Sequence, residues 1–307
     1  MSDGRILGIF SAPGGVGKTT ITICLGWFLR RFGLKVLLVD LDPSISLSLL
    51  FFKEEKLIEL ERRKKTLSSA IDELLEKKTI DEIEKYLHMS KFYDSEIDVV
   101  VPDMRFPDTI DRVWYGPRAR REYILKDLLD SLKVRENYDI TIVDTIPFFD
   151  KKYTTITIYA SDAYLIPLRP TLIDVYRTTR MLKELPQLTG IDENKLYSKI
   201  GLIFNMVATS KQRRMIEAYR DILARKISPH IYVFNNYLPN RVSFSRIGTE
   251  EATRQDIRIV EEVFGKFLEE FKEWFSNVAD AEHLFLGPEE KVAKIVQTMK
   301  KLEKIIR

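Results

Sequence analysis

The stretch from Ser11 to Thr20, Ser-Ala-Pro-Gly-Gly-Val-Gly-Lys-Thr-Thr, constrains this chain more than any other. A short apolar run before it, Ile6 to Phe10, reads as a buried strand. After it, Ile21, Ile23, Leu25, Phe28, Leu29 and Phe32 give residues Thr19 to Phe32 the spacing of a largely buried helix. A glycine-rich turn leading from strand to helix makes an anion cradle. Gly14, Gly15 and Gly17 allow backbone angles closed to other residues, so that successive N–H groups turn inward and the helix dipole adds to them. Lys18 then supplies a point charge for the β and γ phosphates of a nucleotide, and the Thr19 hydroxyl stands where magnesium is ligated. Gly14, Gly15, Val16, Gly17, Lys18, Thr19 and Thr20 are the expected phosphate contacts.

Two acidic strand ends follow in order. Lys35 to Asp40 reads as a second buried parallel strand, and Asp40-Leu41-Asp42-Pro43 places two carboxylates at the end where open α/β sheets bind ligands. Either could be a helix cap; beside a phosphate loop they suit a metal's water or an attacking water. Tyr138 to Thr145 is an apolar strand ending in Asp144, the arrangement in which a carboxylate holds magnesium. Further strands are expected at Ile97–Val101, Ala163–Leu168 and Lys199–Asn205, with Phe51 to His88 helical and Thr66 a helix cap. The pattern is a doubly wound, mostly parallel sheet flanked by helices. Residues 1–250 are expected to form the nucleotide-binding domain and 251–307 a helical extension packed on it.

Gly-Gly-Val-Gly-Lys-Thr-Thr, Asp-Leu-Asp-Pro and the Asp144 strand, in this order and spacing, resemble the ParA/MinD family of deviant Walker A ATPases, from about Arg5 to about Gly248. The resemblance implies an ATP-dependent sandwich dimer with magnesium at Thr19, Asp42 and Asp144, and with Lys18, Asp42 and Asp144 serving hydrolysis. Asp42 would position the attacking water and Asp40 would lie near the magnesium shell. By the same resemblance Asn205, Pro239 and Asn240 would enclose the adenine base; a side-chain amide offers the donor and acceptor that a base edge requires. One departure matters. The family's second lysine, which reaches the partner's nucleotide, is replaced by Pro13, and the general loop's first glycine by Ala12. Slow hydrolysis, or a substitute cation at Lys151 or Lys152, is the expected result.

Composition narrows the family's range of activities. A single cysteine, Cys24, excludes iron–sulfur carriers and leaves no metal-binding cysteine pair. The chain shows no leader and no apolar run long enough for a membrane span, so a cytoplasmic, nucleoid-associated protein is expected. With the loop within a dozen residues of Met1, it resembles the short partition ATPases that have no N-terminal helix-turn-helix domain. A formal net charge of +3 permits nucleic-acid binding without demanding it. Lys211, Arg213, Arg214 and Arg220 lie on an expected helix where relatives present cations to non-specific DNA. A ParB-like protein would be the partner that stimulates hydrolysis. The alternative is a MinD-like positioning ATPase, for which the stripe Val292, Ile295, Val296, Met299, Leu302, Ile305 and Ile306 would lie on a membrane rather than on the sheet. A biosynthetic ligase on the same fold is a third possibility, with no substrate signal in the sequence.

Overall fold

The computed structural model describes residues 3–117 and 119–287. Eight strands form one sheet: β1 Arg5–Ile9, β2 Val36–Asp40, β3 His88–Phe92, β4 Ser95–Val100, β5 Ile140–Asp144, β6 Ala163–Leu168, β7 Ile200–Phe204 and β8 Tyr232–Val233. Their order across the sheet is β3-β4-β2-β5-β1-β6-β7-β8, and every pairing is parallel except β3 with β4. The central strands are buried on both faces, which is why they read as unbroken apolar runs. In register, Ile9 and Asp40 both stand beside Asp144, so the loop after β1 and the two acidic ends meet at one edge. The chain's direction across the sheet reverses about β1, where such sheets open a crevice for a ligand.

Helices cover both faces. In chain order they are α1 Lys18–Arg31, α2 Glu54–Arg62, α3 Leu67–Lys77, α4 Phe106–Tyr115, α5 Ile124–Ser131, α6 Val134–Asn137, α7 Lys151–Ala160, α8 Leu172–Thr189, α9 Glu193–Tyr197, α10 Ser210–Lys226, α11 Val242–Arg246, α12 Arg254–Val278 and α13 Glu282–Phe285. α1, α2 and α12 share one core with the sheet, and Cys24 is buried within it. α3 to α7 form a second core, and α8 to α10 a third. α12 carries Val260, Phe264, Phe267, Phe271, Trp274 and Phe275 on its inner side, and Phe264 stacks on Phe28 of α1 at 5.3 Å. A capping box fixes its start: Thr253 accepts from the Asp256 amide, and Asp256 accepts from the Thr253 amide.

Two sequence expectations change. The span Phe51 to His88 is helical only over α2, α3 and a short turn, and His88 opens β3, an antiparallel edge strand. Its burial alternates, but the His-Met-Ser-Lys-Phe sequence hides it, because apolar Met89 stands on the exposed side and polar His88 and Ser90 on the inner one. The turn that joins it to β4 holds Tyr93 at φ 51 where a hairpin signal would have glycine. Thr66 does precede α3, but its hydroxyl donates to the buried Asp103 rather than capping the helix. Both sheet edges are short or covered. β8 has two residues, and on β3 the Ser90 hydroxyl donates to the Phe51 carbonyl while the His88 ring meets the Lys65 carbonyl.

Gly201 in β7 lies where a Cβ would come 2.7 Å from Phe234 and 2.8 Å from Trp274. Gly201→Ala is expected to cost about 1–3 kcal/mol of stability, as overpacked cores do, read from the urea midpoint. A second expectation concerns pH. Glu73 of α3 accepts from the Tyr86 hydroxyl at 2.6 Å and from Lys85 at 3.1 Å, and this holds its carboxyl down to about 2. A carboxyl depressed in the folded state adds stability above the usual glutamate range and loses it as pH falls toward 2. Glu73→Gln should therefore be less stable than wild type at neutral pH, with the difference closing in acid; a constant difference across that range would contradict the assignment.

Candidate nucleotide site

The phosphate loop is held from both sides. Gly15 and Gly17 adopt φ of 65° and 85°, the left-handed region that favours glycine. A Cβ on Gly17 would lie 2.4 Å from the Asn205 amide nitrogen, so the segment after β7 presses against the loop. On the other side a Cβ on Gly14 would lie 3.0 Å from the Pro147 carbonyl, in the segment after β5. Gly17 is the N-cap of α1, and the first-turn amides of that helix, from Lys18 onward, have no intrahelical acceptor. The loop is a cradle with no room for side chains at its contact points, which suits a phosphate chain.

Lys18 is 5% exposed, and its Nζ donates to the Ser11 hydroxyl at 3.1 Å, which in turn donates to the Pro13 carbonyl at 2.8 Å. Burial lowers its ammonium pKa, and Asp144 and Asp42 oppose that shift. Asp144 is wholly buried. Its carboxylate accepts from the Thr19 hydroxyl at 2.7 Å and from the Thr22 hydroxyl at 3.2 Å, and burial pushes its carboxyl up to about 6 against those bonds and the Lys18 charge. Asp42 accepts from the Ser44 amide at 2.9 Å, a local turn that brings its carboxylate close enough to act on Lys18 and Asp144. No group of three or more His, Cys, Asp or Glu side chains placed to hold a metal ion by themselves occurs among the described residues. The Thr19 hydroxyl and Asp144 carboxylate are oxygen donors of the kind a hard cation such as magnesium takes alongside water and phosphate oxygens.

Asp40 stands beside Asp144 in register, and its side chain serves the local fold. Both of its oxygens are taken: one accepts the Asp42 amide at 3.0 Å, the other the Ser48 amide at 3.0 Å and hydroxyl at 2.7 Å. Burial, with Asp144 beside it, pushes its carboxyl up to about 8. Asp40 folds the segment that carries Asp42; its side chain has no free face for an ion.

Asn205, Pro239 and Asn240 do come together. With Gly17, Thr20 and Phe244 they line a cavity of about 160 Å³ beside the loop. Pro239 bridges Val207, and the Asn240 amide donates to the Val207 carbonyl at 3.1 Å, so this wall is stitched to the end of β7. The Asn205 amide nitrogen donates to the Val16 carbonyl at 2.8 Å and its oxygen accepts from the Met206 amide at 2.8 Å. In this state it clamps the phosphate loop, a role with no signature in the sequence. Ser11 and Thr22 also escaped the sequence reading; Thr22 lies one helical turn after Thr19, the only clue to its shared partner.

Of the cations singled out on α10, Lys211, Arg213 and Arg214 are exposed. Arg220 does not join them, because its guanidinium turns inward to the Asn235 side chain at 2.7 Å and to the Phe234 carbonyl. Lys152 is paired with Asp111, whereas Lys151 is 66% exposed with Glu184 at 3.9 Å. The stripe at Val292 to Ile306 and Arg118 lie outside the described residues. No helix among the described residues is long and apolar enough to cross a membrane.

Asn205→Ala should loosen the loop by removing a buried bond worth about 1–3 kcal/mol once one partner is left unpaired. Faster hydrogen exchange at the amides from Val16 to Thr19, in a protein of unchanged fold, is the expected result; unchanged exchange would remove Asn205 as the clamp.

A family model described as an AAA domain matches residues 4–196. The chromosome partitioning protein ParA of Caulobacter vibrioides is 26% identical over 243 residues, spanning 78% of this chain and 82% of that protein. The septum site-determining protein MinD of Synechocystis is 26% identical over 227 residues, spanning 72% and 73%. In fold the chain is similar to pNOB8 ParA solved bound to nonspecific DNA, with a TM-score of 0.64 at 18% identity over 90% of this chain and 99% of that one. With the glycine loop, the two acidic strand ends and the parallel sheet all in place, the chain belongs to the ParA/MinD family of P-loop ATPases.

Proposed function

We propose that this protein is a ParA-like partition ATPase: it binds ATP and magnesium, pairs with a second copy, holds DNA without reading sequence, and resets by hydrolysis. The observation that carries the ATPase reading is the convergence of Lys18, Thr19, Asp42 and Asp144 at the mouth of one glycine loop. Lys18 and the α1 amides hold the phosphates, and Asp42 orients the water for in-line attack on the γ-phosphate. Thr19 and Asp144 would hold magnesium, which would supply charge neutralisation at the phosphates. The cavity at Asn205, Pro239 and Asn240 receives the base.

A switch needs a surface that the triphosphate can complete. Tyr115, Phe148, Leu172, Ile173 and Tyr176 are all more than half exposed; Phe148 follows the carboxyl end of β5, Leu172, Ile173 and Tyr176 that of β6, and Tyr115 ends α4 in a recess shared with Ala12 of the loop. Large apolar side chains gathered there fit a self-association face. Pro13 leaves that face without the family's usual lysine. Lys151 is the substitute we infer, since Lys152 is already held by Asp111. Exposed Lys211, Arg213 and Arg214 on α10 supply phosphate contacts, and the relatives named ParA support this reading over the membrane one.

DNA binding with ADP, ATP and a non-hydrolysable analogue, across a salt series, tests the whole. Binding should require the triphosphate, and Lys211→Ala, Arg213→Ala, Arg214→Ala together should reduce the salt slope by about three. Asp42→Ala should lower kcat by roughly 10²–10⁴ while leaving ATP binding intact, and Lys151→Ala should lower kcat as well. Indifference to DNA in every nucleotide state would overturn the partition reading.

A further inference from the structure

Beside the phosphate loop, on the opposite side from the base cavity, lies a second and larger recess of about 690 Å³. Ala12 of the loop forms one edge. Trp114 and Tyr115 from the end of α4, Phe149 from the segment after β5, and Arg177 and Arg180 of α8 form the walls. Tyr115 and Lys151 at its rim are shared with the self-association face proposed above, whereas Trp114, Phe149, Arg177 and Arg180 have no part in the phosphate chemistry.

Its charges are unbalanced in a specific way. Arg177 makes no ion pair among the described residues, while Arg180 and Lys151 share one carboxylate, Glu184, at 3.6 and 3.9 Å. The other carboxylate in the wall, Asp150, accepts from the Lys152 and Tyr153 amides at 2.8 and 3.2 Å and so caps α7. Lys152 is neutralised by Asp111. What remains is a recess of loosely held cations between aromatic walls, with Tyr115 three-quarters exposed at its rim. Cations so weakly paired gain from a carboxylate brought in by another molecule, and exposed aromatic surface beside them gains from an apolar or aromatic side chain.

We propose that this recess docks an acidic segment of a partner protein that carries aromatic residues among its carboxylates. A DNA duplex is the poorer fit. Its backbone meets convex or flat cationic surfaces, whereas a recess of this volume admits a few side chains and presents Glu184 and Asp150 among its cations. The occupant touches Phe149 and Ala12, which border the segment after β5 and the phosphate loop, so it is placed to sense or bias the nucleotide state. The inference rests on the recess itself and does not require the partition reading.

The test uses the full chain and a fluorescein-labelled peptide of glutamates interspersed with tyrosines, with lysines replacing the glutamates in its control. Anisotropy should show binding of the acidic peptide alone, weakened by about tenfold or more in an Arg177→Glu, Arg180→Glu variant. A Lys211→Glu, Arg214→Glu variant should bind the peptide as wild type does. Quenching of Trp114, lost in Trp114→Phe, should accompany binding, since Trp27 and Trp274 are buried. Equal binding of the lysine peptide, equal loss in the α10 variant, or unchanged binding in the α8 variant would each overturn the proposal. So would failure of the peptide to bind together with weakened self-association of the α8 variant in sedimentation, which would assign the recess to a second copy. Nucleotide-dependent DNA binding measured on the same samples keeps the two readings apart, because its loss leaves the peptide result standing.

Discussion

Asp144 is the point on which the site depends. A carboxylate with no solvent exposure must be hydrogen-bonded or protonated, and this one takes hydroxyls from two successive turns of α1. Those bonds tie the end of β5 to the helix that begins at the glycine loop. Lys18 lies within the field of the same group, and Asp40 is its register neighbour in β2. The glycine loop, Lys18 and the segment that carries Asp42 are thus located relative to one buried charge. A flexible anchor at this place would let them drift separately.

The parts of the site legible in the sequence are those whose chemistry is tied to the backbone. Gly15 and Gly17 were legible because their left-handed φ favours glycine, and the apolar runs of β1, β2 and β5 because both faces of those strands are covered. Asp42 and Asp144 followed from standing at strand ends. Less legible were contacts that depend on where distant segments meet. Asn205 was readable as a polar group at the end of β7, yet its bond to Val16 spans 189 positions of chain. Asp40 and Asp42 look alike as letters and both are buried; only their hydrogen bonds separate them, Asp40 holding the Asp42 amide and the Ser48 amide and hydroxyl, Asp42 the Ser44 amide.

Surface cations were the least readable. Arg220 shares its helix and its charge with Arg213 and Arg214, but a two-residue strand nearby leaves the Phe234 carbonyl and the Asn235 side chain needing a donor, and Arg220 supplies it. The edge strand β3 was hidden too: with Met89 on its exposed side, polar side chains on its inner side and a turn built on Tyr93, its sequence has neither the periodicity nor the glycine that mark hairpins.

The guarded margins of the sheet bear on how copies of this protein can assemble. An open sheet invites strand-by-strand addition at its ends, a route that leads to indefinite polymers. Here one end is two residues long and the other is bonded to the Phe51 and Lys65 carbonyls. A two-residue strand offers too few backbone groups for a second chain to add to, so at the β8 margin growth along the hydrogen-bonding direction has little to start from.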